Sequence, residues 1–307
     1  MQRCATEQPS VSNASAWSSC GFSSWPAAVV VWGPGGLWTS HSHHSVQVTV
    51  ALTGTLRVRA QRQAEWLTCD ALLIPSDITH EIDARGAFVL IAYVDPESDL
   101  AIPRLDEIGS VVQPLSDDVV ARWREALGSC QTLNSQRVHL WVTRELSNGC
   151  RSRPMHAGVQ RVLEHLRDDD LDGPQTSLTA LAAVAGLSRS RLMHAFTESI
   201  GIPLRPYLRW LRVQRAICAL YSGHTVTEAA HLAGFSDAPH FARSLRRTLG
   251  ATARQLLRRV AAPNDQCAAR LDDSCGHPSQ FVQDGGGQTR LRSTRLDGSR
   301  VISRRRR

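Results

Sequence analysis

The chain has 307 residues, with 35 Lys+Arg against 28 Asp+Glu and a net charge of +7, and every one of those cations is arginine. An apolar share of 42% excludes wholesale disorder, and the length suits about two domains. No apolar run approaches the roughly 20 residues of a membrane span and the start lacks a signal-peptide core. Eight cysteines without a CxxC pair disfavour a disulfide scaffold, a zinc ribbon or a thioredoxin site. A reduced, soluble, cytoplasmic protein without a membrane partner is the expectation.

In chain order, residues 1–24 are Ser-rich and aperiodic and read as a disordered arm. Short β-rich runs follow at 27–32, 46–52, 56–59, 71–74 and 87–94, separated by turn residues such as Gly33-Pro34-Gly35-Gly36 and Thr53-Gly54. Many short strands at close spacing predict a sandwich or small barrel. After Ser116, a plausible N-cap, Val119, Val120, Trp123, Ala126 and Leu127 share one helical face, and 139–146 continues helically. A polar stretch at 148–154 reads as a linker, 156–167 as an amphipathic helix, and 177–260 as helical apart from Gly breaks. Beyond Pro263 the periodicity is lost, and 260–307 reads as a basic disordered tail.

Charge is unevenly distributed. Residues 1–175 carry 14 Arg against 20 acids, whereas 176–260 carry 12 Arg against only Glu198, Glu228 and Asp237. So basic a segment suits a polyanion, and arginine's planar fork suits phosphate and guanine edges. A merely solvated basic surface is the alternative that charge alone leaves open.

The same segment contains a repeat. Leu181–Ser188 resembles Ala229–Ser236, with Gly186 and Gly234 lying 48 residues apart. Each glycine follows an apolar helix and precedes an N-cap, Ser188 or the Ser236-Asp237 pair, and a second helix follows that ends at Gly201 or Gly250. Helix, Gly-centred turn and helix is the helix-turn-helix pattern. Leu192 and Phe196, or Phe241 and Leu245, would face inward, with Leu187 and Phe235 plugging the angle between helices. A helix over 206–221 would hold the two units apart, so that both second helices enter successive major grooves.

On Leu178–Ser188, Phe196–Gly201, Tyr207-Leu208, Arg212, Ala216, Ala229–Asp237, His240-Phe241, Arg243, Arg246-Arg247 and Gly250, residues 156–259 resemble the DNA-binding domain of AraC/XylS transcription regulators. The resemblance implies base contacts from Ser190, Met193 and His194 in the first unit and from Ala238, Ala242 and Arg243 in the second. Arg189, Arg191, Arg209, Arg246 and Arg247 are the phosphate-contact candidates. Pro239 stands where relatives often carry a polar base reader, which weakens readout by the second unit, and Leu245 replaces the more usual Phe. The family's C-terminal Pro-x-x-Tyr-Arg ending is replaced by Ala253–Leu257, which leaves the domain's end open.

In the N-terminal half, His41, His43 and Gln47 fall between Gly35 and Gly54, and Pro75, Asp77 and His80 follow. This spacing resembles the two cupin motifs, whose three His and one Glu bind a divalent metal. Here Gln47 replaces the Glu and Asp77 a usual Gly. His41, His43 and His80 could therefore hold a divalent metal weakly, or, with Gln47, line a pocket for a small-molecule effector. Trp38 and Trp66 read as core or rim aromatics. No cofactor is required.

The expected architecture is α+β and multidomain. It comprises an arm (1–24), a cupin-like β-barrel or jelly roll sensing an effector (25–98) and a helical connector for dimerisation (99–155). An all-α double helix-turn-helix domain (156–259) and a tail (260–307) complete it. The function implied is a sequence-specific regulator of transcription, binding double-stranded promoter DNA as a homodimer and meeting RNA polymerase. The alternatives are a cupin metalloenzyme with a helical accessory domain, disfavoured by Gln47 and by the lack of a nucleophile–base pair, and a protein-binding helical repeat.

Overall fold

Ten strands, nine α-helices and a short 3-10 helix (Pro174–Thr176) follow in chain order among the described residues of the computed structural model, which are 21–25, 28–60, 65–98, 111–146, 155–168 and 174–257. They all lie in one compact unit. The expected tail and residues 1–20 of the expected arm fall outside the described residues. Gly21–Trp25, whose first four residues read as arm by sequence, is a strand (β1). Its order comes from a neighbour, since all five residues pair with the next strand.

Six strands, β1, β2 (Ala28–Pro34), β9 (Phe88–Val94), β4 (Val46–Thr53), β7 (Ala71–Ile74) and β10 (Gln113–Pro114), lie in that order in one sheet. Four more, β3 (Leu37–His41), β8 (His80–Asp83), β5 (Leu56–Ala60) and β6 (Leu67–Cys69), form another. All neighbours are antiparallel. Of the expected barrel or jelly roll, no closed barrel forms: the strands lie in two sheets that no ladder among the described residues joins. Helices α1 (Asp117–Leu127) and α2 (Ser135–Glu145) cover one face of the larger sheet.

Both faces of that sheet are buried, which is why β2 and β9 read as continuous apolar runs. The period of two survives in where the side chains go. Val30, Trp32, Val46, Val48, Leu90 and Ala92 meet α1 and α2, while Val29, Val31, Val89, Ile91 and Tyr93 face the smaller sheet. On β4 the alternation delivers Gln47 and Thr49 to that second, buried face.

The remaining helices are α3 (Ala157–Asp168), α4 (Leu178–Ala185), α5 (Arg189–Ile200), α6 (Leu204–Tyr221), α7 (Val226–Leu232), α8 (Ala238–Leu249) and α9 (Ala253–Leu257). The repeat is reproduced bond for bond. Leu187 N–H donates to Ala182 O and Phe235 N–H to Ala230 O, at 3.0 and 2.9 Å. These six-to-one closures need a left-handed glycine, supplied by Gly186 (φ 65°) and Gly234 (φ 73°). Ser188 caps α5 through Arg191 N–H, and Asp237 caps α8 through His240 N–H, with Pro239 harmless in the first turn.

On α6, Ile217 and Leu220 are buried and Leu208 and Leu211 half-buried, while Tyr207, Trp210, Val213 and Ala216 supply the rest of the buried face. The cores explain why. The first unit closes on itself, with Val159, Leu163, Leu181, Leu192, Phe196 and Tyr207. The second unit does not, for Trp210, Val213, Ile217, Phe235, Phe241 and Leu245 share one cluster with Val31, Trp38, Leu56, Ile82 and Ile91 of the sheets.

Candidate nucleic-acid interface and histidine pocket

Capping and packing fix which faces of α5 and α8 meet solvent. Leu192, Phe196 and Ile200 anchor α5, leaving Arg189, Ser190, Arg191, Met193 and His194 exposed. Phe241, Leu245 and Leu249 anchor α8, leaving Ala242, Arg243, Arg246 and Arg247 exposed and Ala238 half-buried. Arg209 is exposed on α6. Exposed donors on a narrow helix face are what a major groove can receive.

The face of α8 is not isolated. A cleft of about 460 Å3 lies between it and β3, lined by Thr39, Ser40, Ala242, Arg243, Arg246, Arg247 and Thr252. Beside it the Thr39 N–H and hydroxyl both donate to Gly250 O, at 3.0 and 3.1 Å. Gly250 is the left-handed cap of α8 (φ 62°). A Cβ there would overlap the Thr39 carbonyl oxygen and approach His41 Nδ1 to 2.6 Å.

Directly behind this seam lie the histidines. β3 carries His41, β8 carries His80, the loop after β3 carries His43 and β4 carries Gln47, all buried. One ring nitrogen from each histidine lies within 4.8 Å of the others. His41 Nδ1 donates to Thr39 O at 2.7 Å, His80 Nδ1 to Ile78 O at 2.8 Å, and His43 Nδ1 sits 3.0 Å from Ser45 O. Nε2 of His41 and of His80 is buried without a partner. His43 Nε2 faces Gln47 Oε1 at 2.9 Å, and the Gln47 amide nitrogen donates to Thr49 Oγ1 at 2.8 Å. Burial, with His43 adding repulsion, lowers the His41 imidazole to about 3, and burial likewise lowers His43 and His80. The three rings are therefore neutral; His41 and His80 keep a bare Nε2 lone pair, whereas His43 donates its Nε2 proton to Gln47 Oε1 and accepts at Nδ1 from the Ser45 hydroxyl at 3.0 Å.

Other polar groups in this region, Asp77 and Tyr207 apart, were not singled out by sequence. Trp210 stacks on His43 with centroids 5.7 Å apart. Its indole N–H and the Gln214 amide both donate to Asp95 Oδ1 at 3.2 Å, and the Tyr207 hydroxyl donates to Glu97 Oε1 at 2.7 Å. His44 Nδ1 meets Asp77 Oδ2 at 3.1 Å, and its Nε2 lies 3.3 Å from Glu97 Oε2 as an ion pair without hydrogen-bond alignment. Burial alone would lower the His44 imidazole, but the two carboxylates outweigh it and hold it up at about 9. Burial, reinforced by Glu97, pushes the Asp95 carboxyl up to about 7. A Trp on the inward stripe of α6 and two acids flanking Pro96 at a strand end were the available signals. Trp38 is core, and Trp66 is half-buried beneath the guanidinium groups of Arg57 and Arg59.

Two helix-turn-helix units on one rod, joined to a sheet-rich domain, define a class of DNA-binding regulators. A family model for the helix-turn-helix domain matches residues 181–259. An uncharacterized HTH-type transcriptional regulator of Staphylococcus aureus strain MSSA476 is 36% identical over 80 residues, 26% of this chain. That match spans 11% of the relative's length. Among solved structures, an apo point variant of ToxT from Vibrio cholerae strain SCE256 superposes with a TM-score of 0.53 at 10% identity, over 76% of this chain and 98% of that one. A wild-type ToxT structure with bound unsaturated fatty acid gives 0.48 at 10% identity, over 76% and 95%. Residues 181–259 of this chain are a helix-turn-helix domain. The matched Staphylococcus aureus relative is named an HTH-type transcriptional regulator.

Proposed function

We propose that the protein is a sequence-specific DNA-binding regulator of transcription whose grip on promoter DNA is set by a small effector in the N-terminal sheets. Ser190, Met193 and His194 on α5, with Ala238, Ala242 and Arg243 on α8, read base edges. Arg189, Arg191, Arg209, Arg246 and Arg247 contact phosphate. The observation that carries this reading is the pair of capped, glycine-turned units that leave their second helices exposed within a strongly basic segment. The two-sheet unit is read as cupin-like on the convergence of His41, His43 and His80, and these residues with Gln47 contact the effector. The domain limits follow as 25–98, 99–155 and 156–259. The protein acts as a homodimer and meets RNA polymerase.

The test is selection of bound duplexes by the full chain from a random pool, followed by a salt titration on the selected site. Neutralising about six to eight phosphates gives a log–log slope of roughly −5 to −7. Enrichment of one motif with that slope supports the reading; binding no stronger than to heparin, with no motif enriched, overturns it.

A further inference from the structure

The cleft between α8 and β3 is cationic wherever it carries charge. Arg243, Arg246 and Arg247 face Thr39 and Ser40 across it, and no carboxylate lines it. Cations three and four residues apart on one helix repel, and none of the three forms an ion pair with a described residue. The acid whose charge Arg243 feels, Asp237, is engaged in capping α8 through His240 N–H at 2.6 Å. Such a wall is stabilised by an anion brought from outside. The opposite wall is shaped to share it. Successive residues of a regular strand point to opposite faces, yet Thr39 and Ser40 both line the cleft. The β3–β8 register shifts between Trp38 and His41, and an irregularity of that kind re-aims a side chain. Thr39 gives its hydroxyl proton to Gly250 O at 3.1 Å, and across the floor Thr252 gives its own to Gln255 Oε1 at 2.9 Å. Ser40 is exposed, and its hydroxyl is bonded to no described group. Of the two β3 hydroxyls, it is the one free to donate toward the arginines.

The two walls keep their spacing, since Thr39 ties β3 to the end of α8 and the sheets share an apolar core with the second unit. A site already in shape binds without the cost of ordering its parts. A helix seated in a major groove has a sugar–phosphate strand running along each flank. With about 460 Å3, the cleft has room for part of one such strand but not for a duplex, whose major groove alone is about 12 Å wide. We propose that one sugar–phosphate strand of the bound duplex lies in this cleft, and that Ser40 donates to one of its phosphate oxygens from the side opposite Arg246 and Arg247. The N-terminal sheets are then a wall of the DNA interface, which extends beyond the helical domain onto β3. This placement rests on the regulator reading above.

The experiment places charge at Ser40 in the full chain and reads fluorescence anisotropy on the selected duplex at several ionic strengths. Thr68 is the matched control, because it is exposed on β6 at the opposite edge of the same sheet. Three strand spacings put it about 14 Å away, beyond a Debye length of about 10 Å at 0.1 M salt. Ser40→Arg should tighten binding and steepen the log–log salt slope by about 0.9, as one further phosphate contact does. A damaged fold cannot produce that gain. Ser40→Asp should loosen binding by at least about tenfold, through a like charge set against phosphate. Thr68→Arg and Thr68→Asp should each move the dissociation constant by less than about twofold, and far-UV circular dichroism reports whether every variant is folded. Ser40 variants that shift affinity no more than their Thr68 counterparts, while the wild-type chain still binds its selected duplex, overturn the cleft as a strand site and leave the regulator reading standing. Equal losses from Ser40→Arg and Ser40→Asp, an effect of bulk and not of charge, overturn it too. A wild-type chain that binds no duplex overturns both.

Discussion

Gly250→Ala isolates the seam between β3 and α8, and Gly186→Ala is its matched control. Both glycines are left-handed helix caps with similar backbone angles, φ 62° ψ 14° against φ 65° ψ 31°. An alanine in that region costs about 1–2 kcal/mol at either site. What differs is the surroundings. At Gly186 a Cβ would meet only the flexible end of Arg161, at 3.4 Å, whereas at Gly250 it runs into the Thr39 backbone. To make room, β3 must retreat and release the two hydrogen bonds that Thr39 gives to Gly250 O. At about 0.5–1.5 kcal/mol each, their loss makes Gly250→Ala the more damaging change by about 1–3 kcal/mol. Urea unfolding followed by far-UV circular dichroism measures both. Equal losses for the two variants would refute the seam as a structural bond between the sheets and α8.

Further outcomes follow from the same geometry. Arg243→Ala should cost about 1–3 kcal/mol of binding and relax preference at one base pair, which binding measured on single-base variants of the selected site checks. Arg246→Ala should weaken all duplexes alike and reduce the salt slope by about one, read from anisotropy at several ionic strengths. Leu245→Ala should lose about 2–5 kcal/mol of stability, since the side chain is fully buried in the cluster shared with the sheets. For Asp95, the folded carboxyl holds its proton up to about pH 7, while an unfolded Asp releases it near 3.9. The folded state thus binds more protons across that window, and stability falls as pH rises through it, by of order 4 kcal/mol. Asp95→Asn should flatten that slope between about pH 4 and 7 in denaturation curves; an unchanged slope places the linkage elsewhere.

The helical half was legible because its signals are local. Caps, turn glycines and apolar positions recur within a few residues, and the 48-residue repeat between Gly186 and Gly234 doubled each of them. Strands β2, β4, β7 and β9 were legible as apolar runs. By contrast β1, with Ser23 and Ser24, and β3, with Thr39, Ser40 and His41, lack apolar alternation and owe their order to partners. Spacing also nominated His41, His43 and His80, but it could not nominate Asp95 or Trp210, whose hydrogen bond spans 115 residues. Nothing local marks a carboxylate that a distant indole will cover, nor a glycine whose missing Cβ makes room for another domain's strand.

The shared interior has a mechanical consequence. The sheets and the rear reading head are cast as one piece, since sliding one past the other would break open a common apolar filling. The front head, with a filling of its own, is fastened behind by contacts such as the Tyr207–Glu97 bond. Because α6 runs unbroken from the front filling, at Tyr207, into the shared one, at Trp210, the direction in which the front head leaves the sheets is set by the rear one.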